Sequence, residues 1–68
     1  MVTIGEKLRA ARGEMSRAYV ASECGISVSS LGMYETDQRV PRDEVKVKLA
    51  KLYHKTVEEL FFAHIGHE

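Results

Sequence analysis

Glycines and small hydroxyl residues cut the first half of this chain into helices too short to stand alone. That cutting limits what it can fold into. Ser16 precedes Arg17-Ala18-Tyr19-Val20-Ala21, and Gly25-Ile26-Ser27 interrupts directly after Cys24. Ser29-Ser30-Leu31 and Tyr34-Glu35 follow, before the chain reaches Arg39-Val40-Pro41. Ser16 and Ser27 have the chemistry of N-caps, whose side-chain oxygens accept from the first unpaired amides of a helix. Gly25 suits the left-handed backbone of a sharp turn. Ala21 lets two helices cross closely. Isolated helices this short are marginal in water, so packing must hold them.

The flanking segments extend the same pattern. Thr3-Ile4-Gly5-Glu6 fits a reciprocal capping box, and Ile4, Leu8 and Ala11 then mark one apolar helical face up to Gly13. Ser16 opens a second helix with Val20, Ala21 and Cys24 on its buried side. Ser27 opens a third, running to about Glu35, with Ile26 and Leu31 inward and Tyr34 half buried. Pro41 biases Val40 away from helix. A fourth helix is expected over about 42–54, with Val45, Leu49, Ala50, Leu52 and Tyr53 on its core face and Lys46, Lys48 and Lys51 toward water. Thr56-Val57-Glu58-Glu59 is a second capping box that opens a short fifth helix, in which Leu60 and Phe61 close the core. Adjacent Phe61 and Phe62 cannot share one core, so one of them faces outward. Residues 63–68 read as a short tail. The expected fold is all-α, five helices in one domain over 1–68.

Composition narrows the function classes. A chain of 68 residues has a thin core, and one cysteine, Cys24, cannot form an internal disulfide. A lone thiol suits a reducing cytoplasm, and Cys24 reads as a core residue. Apolar runs such as Leu60-Phe61-Phe62-Ala63 are far short of the ~20 residues that span a bilayer. No nucleophile motif, phosphate-cradling glycine loop or paired carboxylate appears, so no enzyme and no cofactor is expected. His54, His64 and His67 lack a nearby cysteine pair, and no metal site is expected of them. Net charge is zero, but ten bases stand against seven acids within residues 1–55, leaving the last thirteen residues acidic.

Two short helices about a tight turn, over about 16–35, form the layout of a helix-turn-helix, whose second helix can enter a DNA major groove. Several pieces in order extend that likeness. They are Ile4-Gly5-Glu6-Lys7-Leu8-Arg9 with Arg12, Ser16 with Val20-Ala21, Gly25-Ile26-Ser27, Ser29-Ser30-Leu31, Tyr34-Glu35, Arg39-Val40-Pro41, Leu49-Ala50-Lys51-Leu52-Tyr53 and Val57-Glu58-Glu59-Leu60-Phe61. Together they resemble the Cro/phage-repressor (XRE) family over about residues 4–62. The resemblance implies a compact lambda-repressor-like domain that binds operator DNA as a homodimer, acting as a transcriptional repressor in the cytoplasm.

It also implies roles for individual residues. Val28, Ser29 and Met33, with Gly32 between them, would meet base edges. Arg17, standing where the family usually has Gln, would meet a phosphate. Ser27, Ser30, Gln38 and Arg39 would bond the DNA backbone, and Arg12 would pair with Glu35. Tyr19 has two readings, a phosphate contact or a shield for the turn. The third helix carries no Gln, Asn, Arg or Lys for a bidentate base contact. Val57, Phe62 and Ile65 are the candidate dimer surface. The rival reading is a protein-interaction module, an antitoxin bound to a toxin or an adaptor with weak DNA binding, which the neutral charge and the Val28/Gly32/Met33 face favour.

Overall fold

The computed structural model describes residues 2–62. Four α-helices follow in order: α1 (Ile4–Arg12), α2 (Arg17–Cys24), α3 (Val28–Glu35) and α4 (Asp43–Tyr53). A wide-wound π-helical turn, Glu58–Phe62, closes the described chain. No strand occurs among the described residues.

Local chemistry sets most of these boundaries. The Thr3 hydroxyl accepts from the Glu6 amide at 3.1 Å, while the Glu6 carboxylate accepts from the Thr3 amide at 3.0 Å. Ser16 and Ser27 cap α2 and α3 by accepting from the amides of Tyr19 and Ser30, each at 3.0 Å. Gly25 ends α2 in the left-handed region, with φ 68° and ψ 33°. Arg42 and His54, expected inside the fourth helix, are its two caps instead, and Arg42 makes no capping bond with its side chain. Asp43 and Glu44 in the first turn of α4 suit the positive end of the helix dipole. The Thr56–Glu59 capping box forms in both directions, at 3.0 and 2.8 Å. The turn it opens is wound wider than the expected α-helix. Wider winding rotates less per residue, so Leu60 and Phe61, neighbours in sequence, both reach the core at 2% exposure.

Leu8, Val20, Leu31 and Leu49 are wholly buried, one from each α-helix, and Cys24, Ala50, Tyr53 and Phe61 fill the space between them. Tyr34, expected half buried, belongs to this core, whereas Leu52 lies only at its edge. Lys46 does not point to water. Its ammonium lies 5.5 Å from the Phe61 ring centre and 5.3 Å from that of Phe62, within range of a cation–π attraction. Phe61 is the inward ring and Phe62 the outward one.

The start of α1 and the end of α3 meet at backbone distance. A Cβ on Gly5 would stand 2.4 Å from the Glu35 carbonyl oxygen, so only glycine fits. The Gly5 amide donates to the Asp37 carboxylate at 2.9 Å, and Asp37 holds its position at a φ of 64°, unusual outside glycine. The Thr3 hydroxyl and the Gly5 amide hold the Asp37 carboxyl below its ordinary value, and the Thr56 amide does the same for Glu59. Deep in the core the Tyr53 hydroxyl has no hydrogen-bond partner among the described residues. Burial, then the Glu35 charge, push its pKa up to about 12.

Three outcomes are expected. Gly5→Ala should destabilise the domain by about 1–3 kcal/mol or more in urea unfolding, since the obstacle is backbone; an unchanged midpoint would mean the two elements are not in tight contact. Tyr53→Phe should match or exceed the wild type by about 1 kcal/mol, because it deletes an orphaned buried hydroxyl. Lowered folded carboxyl values contribute stability that is present above the ordinary values of 3.8 and 4.5 and is lost as pH falls through the folded ones. Unfolding midpoints should therefore drop between about pH 5 and pH 2, and less steeply in Asp37→Asn.

Candidate nucleic-acid interface

Helices α2 and α3 are joined by Gly25, Ile26 and Ser27, with the Ile26 amide donating to the Ala21 carbonyl at 3.0 Å. Val20, Ala21 and Cys24 of α2 and Leu31 and Tyr34 of α3 turn inward. The opposite side of α3 faces solvent. Val28 and Ser29 are exposed there, and Gly32 and Met33 partly so. Steps of one, three and four residues keep positions 28, 29, 32 and 33 on one side of the helix. The four expected base-edge residues thus share one outward stripe.

A buried carboxylate holds α3 in place. Glu35 has no side-chain exposure, and Arg12 grips it with two nitrogens, Nε at 2.7 Å and Nη2 at 3.2 Å. Arg12 also donates to the Met15 carbonyl at 2.8 Å, and its bond to Glu35 raises its own pKa. The expected Arg12–Glu35 pair is present, but it has a third member. Arg17 Nε donates to the same carboxylate at 3.1 Å, with its side chain 42% exposed. Sequence reasoning assigned Arg17 to a phosphate and missed this bond. No local periodicity links residues 17 and 35. The one available signal was Gly32, whose missing side chain leaves room for a neighbour: a Cβ there would lie 3.7 Å from Arg17 Nη1.

The serines and the exit loop are organised by their own bonds. The Ser27 hydroxyl donates to that of Ser30 at 2.9 Å, at the start of α3. After α3, the Thr36 hydroxyl donates to the Gly32 carbonyl, and the Gln38 amide group donates to Thr36, both at 2.9 Å. Gln38 and Arg39 are exposed on this loop. Arg39 shares with Arg42, Glu44 and Lys48 the rim of a cleft beside Gly25. Arg42 and Lys48 are basic neighbours that sequence reasoning did not assign, because they lie on a different element from the motif.

Other expected sites are placed as follows. Tyr19 is half exposed near the start of α2. Cys24 is buried, and burial pushes its thiol pKa up. Of the suggested dimer residues, Phe62 is exposed beside Lys46, Val57 packs partly against the core, and Ile65 lies outside the described residues. His64, His67 and the tail 63–68 lie outside them too. Among the described residues no three His, Cys, Asp or Glu side chains gather as metal ligands. None of the described helices is long and apolar enough to cross a membrane.

This arrangement agrees with the family comparison, in which residues 6–60 match the helix-turn-helix family. The chain belongs to the helix-turn-helix family. Among solved structures, this helix-turn-helix chain is similar to the P22 c2 repressor protein, solved in complex with the synthetic operator 9T in the presence of Tl+. That likeness has a TM-score of 0.88 at 22% identity, covering 91% of this chain and 97% of the other. The shared fold is the all-helical one expected from the sequence. No curated protein matches the chain.

Glu35→Gln should cost this helix-turn-helix domain about 3–5 kcal/mol in chemical unfolding, since it leaves Arg12, largely buried, without a counter-charge. A loss within ~0.5 kcal/mol would mean that the carboxylate contributes little to placing α3.

Proposed function

We propose that this chain is a sequence-specific DNA-binding transcription regulator that acts as a repressor, with α3 as its recognition helix. The observation that carries the reading is the outward stripe of Val28, Ser29, Gly32 and Met33 on a helix whose other side is locked by Leu31, Tyr34 and Glu35. A rigid helix with one free side is what a major groove admits. Val28 and Met33 suit the C5-methyl groups of thymine, and Ser29 can donate to or accept from a base edge. Ser27, Ser30, Gln38 and Arg39 stand at the ends of α3 and in the loop beyond it, where phosphates would flank the helix. Arg17 completes the contact surface from α2. The P22 c2 repressor, similar in fold, was solved on an operator, which supports the same use here.

The domain binds double-stranded DNA as a homodimer in the cytoplasm, with two copies of α3 about 34 Å apart, one turn of B-DNA. Phe62, Val57 and Ile65 are the surface offered for that pairing. The second reading is a protein-binding module, such as an antitoxin holding a toxin. It draws on the zero net charge and on Val28 and Val40, exposed at 47% and 66%.

Fluorescence anisotropy with labelled duplexes from the native promoter region tests the two. Affinity should fall about tenfold or more between 50 and 200 mM salt, as release of two or more counterions requires, and Arg39→Ala should reduce that slope by about one. Sedimentation of the complex should give two chains per site. Retention of no duplex at ~50 mM salt would favour the protein-binding module.

A further inference from the structure

Sequence-specific binding needs a side chain whose donors match a base edge, and the outward stripe of α3 is poor in them. Val28, Ser29, Gly32 and Met33 offer one hydroxyl and two apolar tips. None can make the paired hydrogen bonds that distinguish guanine or adenine. The stripe nonetheless has a guanidinium beside it, supplied by another helix. Arg17 Nη1 lies 3.7 Å from where a Cβ on Gly32 would stand. At 100° per residue, Gly32 falls angularly between Val28 and Ser29, well inside the stripe rather than on its flank.

The guanidinium is also aimed. Its Nε donates to the buried Glu35 carboxylate at 3.1 Å, and Arg12 holds that carboxylate from the other side at 2.7 and 3.2 Å. Of the five N–H donors on Arg17, this bond uses one, leaving the four on Nη1 and Nη2. The side chain is 42% exposed, so part of it is open to a partner. A phosphate carries no sequence information, and a point charge such as Lys can also bind it. A guanidinium whose plane is fixed by a carboxylate, beside a glycine on the groove-facing stripe, is built for planar, two-point recognition.

We infer that Arg17 is the specificity-determining residue of this interface, donating through Nη1 and Nη2 to O6 and N7 of one guanine in each half-site. Glu35 fixes the plane of the guanidinium and Gly32 gives it room. This rests on the DNA-binding reading above. It replaces the phosphate role expected for Arg17 with base readout.

The test begins by selecting duplexes from a randomised library with the wild-type chain. Anisotropy then compares the selected duplex with versions in which each shared guanine is replaced by 7-deazaguanine, which lacks the N7 acceptor. Wild type and Arg17→Ala are measured on all of them. The selected sites should share a guanine, and its replacement should weaken wild-type binding by about 5-fold or more, since one of the two charge-assisted hydrogen bonds is lost. The same replacement should matter by less than about twofold to Arg17→Ala, which has no donor left to offer N7 or O6. A pool with no shared guanine, or 7-deazaguanine that costs wild type nothing, would overturn the inference and leave DNA binding intact. So would an Arg17→Ala variant weakened equally on every duplex while still sensitive to the replacement. Wild-type failure to retain any duplex at ~50 mM salt would instead remove the DNA-binding reading itself. The wild-type arm needs no variant to fold, and thermal unfolding by circular dichroism checks the variant, in which Arg12 still holds Glu35.

Discussion

A single carboxylate, Glu35, organises this domain. It sits at the end of α3 with no exposure, and its partners come from α1 and α2, so one side chain ties three helices together. Burying a charge is costly unless it is paired and hydrogen-bonded. Here three nitrogens donate to its two oxygens, and two guanidinium groups balance one carboxylate. Such a cluster is a weak source of net stability, but breaking it leaves uncompensated charge in the interior. Its value lies in geometry, because it joins the end of α3 to α1 and α2 through directed hydrogen bonds. The close approach of Gly5 to the Glu35 carbonyl fixes the same corner by shape.

Orientation and exposure are therefore linked. The inward residues of α3 are apolar or ion-paired, and its outward residues are small or slender. Nothing on the outer face competes with a macromolecular surface for space. The same smallness admits the arm of Arg17 from the neighbouring helix, so sparse side chains on α3 and a long one on α2 form one surface.

Features governed by near neighbours were legible in the sequence. Thr3 with Glu6, Ser16, Ser27 and Thr56 with Glu59 each act within three residues, and each makes its bond. The ordered motif from Ser16 to Pro41 located the exposed stripe of α3, since helical spacing alone puts positions 28, 29, 32 and 33 together. Features set by distant neighbours were not legible from local pattern, and the one that was expected, Arg12 with Glu35, came from the resemblance. Arg17 meets Glu35 across eighteen positions, Gly5 meets Asp37 across thirty-two, and Lys46 reaches two aromatic rings fifteen and sixteen positions on. Each depends on how helices cross. The π-wound final turn likewise answers to packing, because Leu60 and Phe61 must both fit a core that other elements have shaped.

Arg42 gives a last clue. It begins α4 where a Ser, Asp or Asn would bond to the free amides, and it forms no such bond. A cation at that end also opposes the helix dipole. A residue with a capping oxygen would strengthen the helix by roughly 0.5–2 kcal/mol relative to one without. The arginine is a local misfit for helix capping. The start of α4 thus carries a positive charge beside the Gly25 turn in place of the hydrogen bond it could have closed.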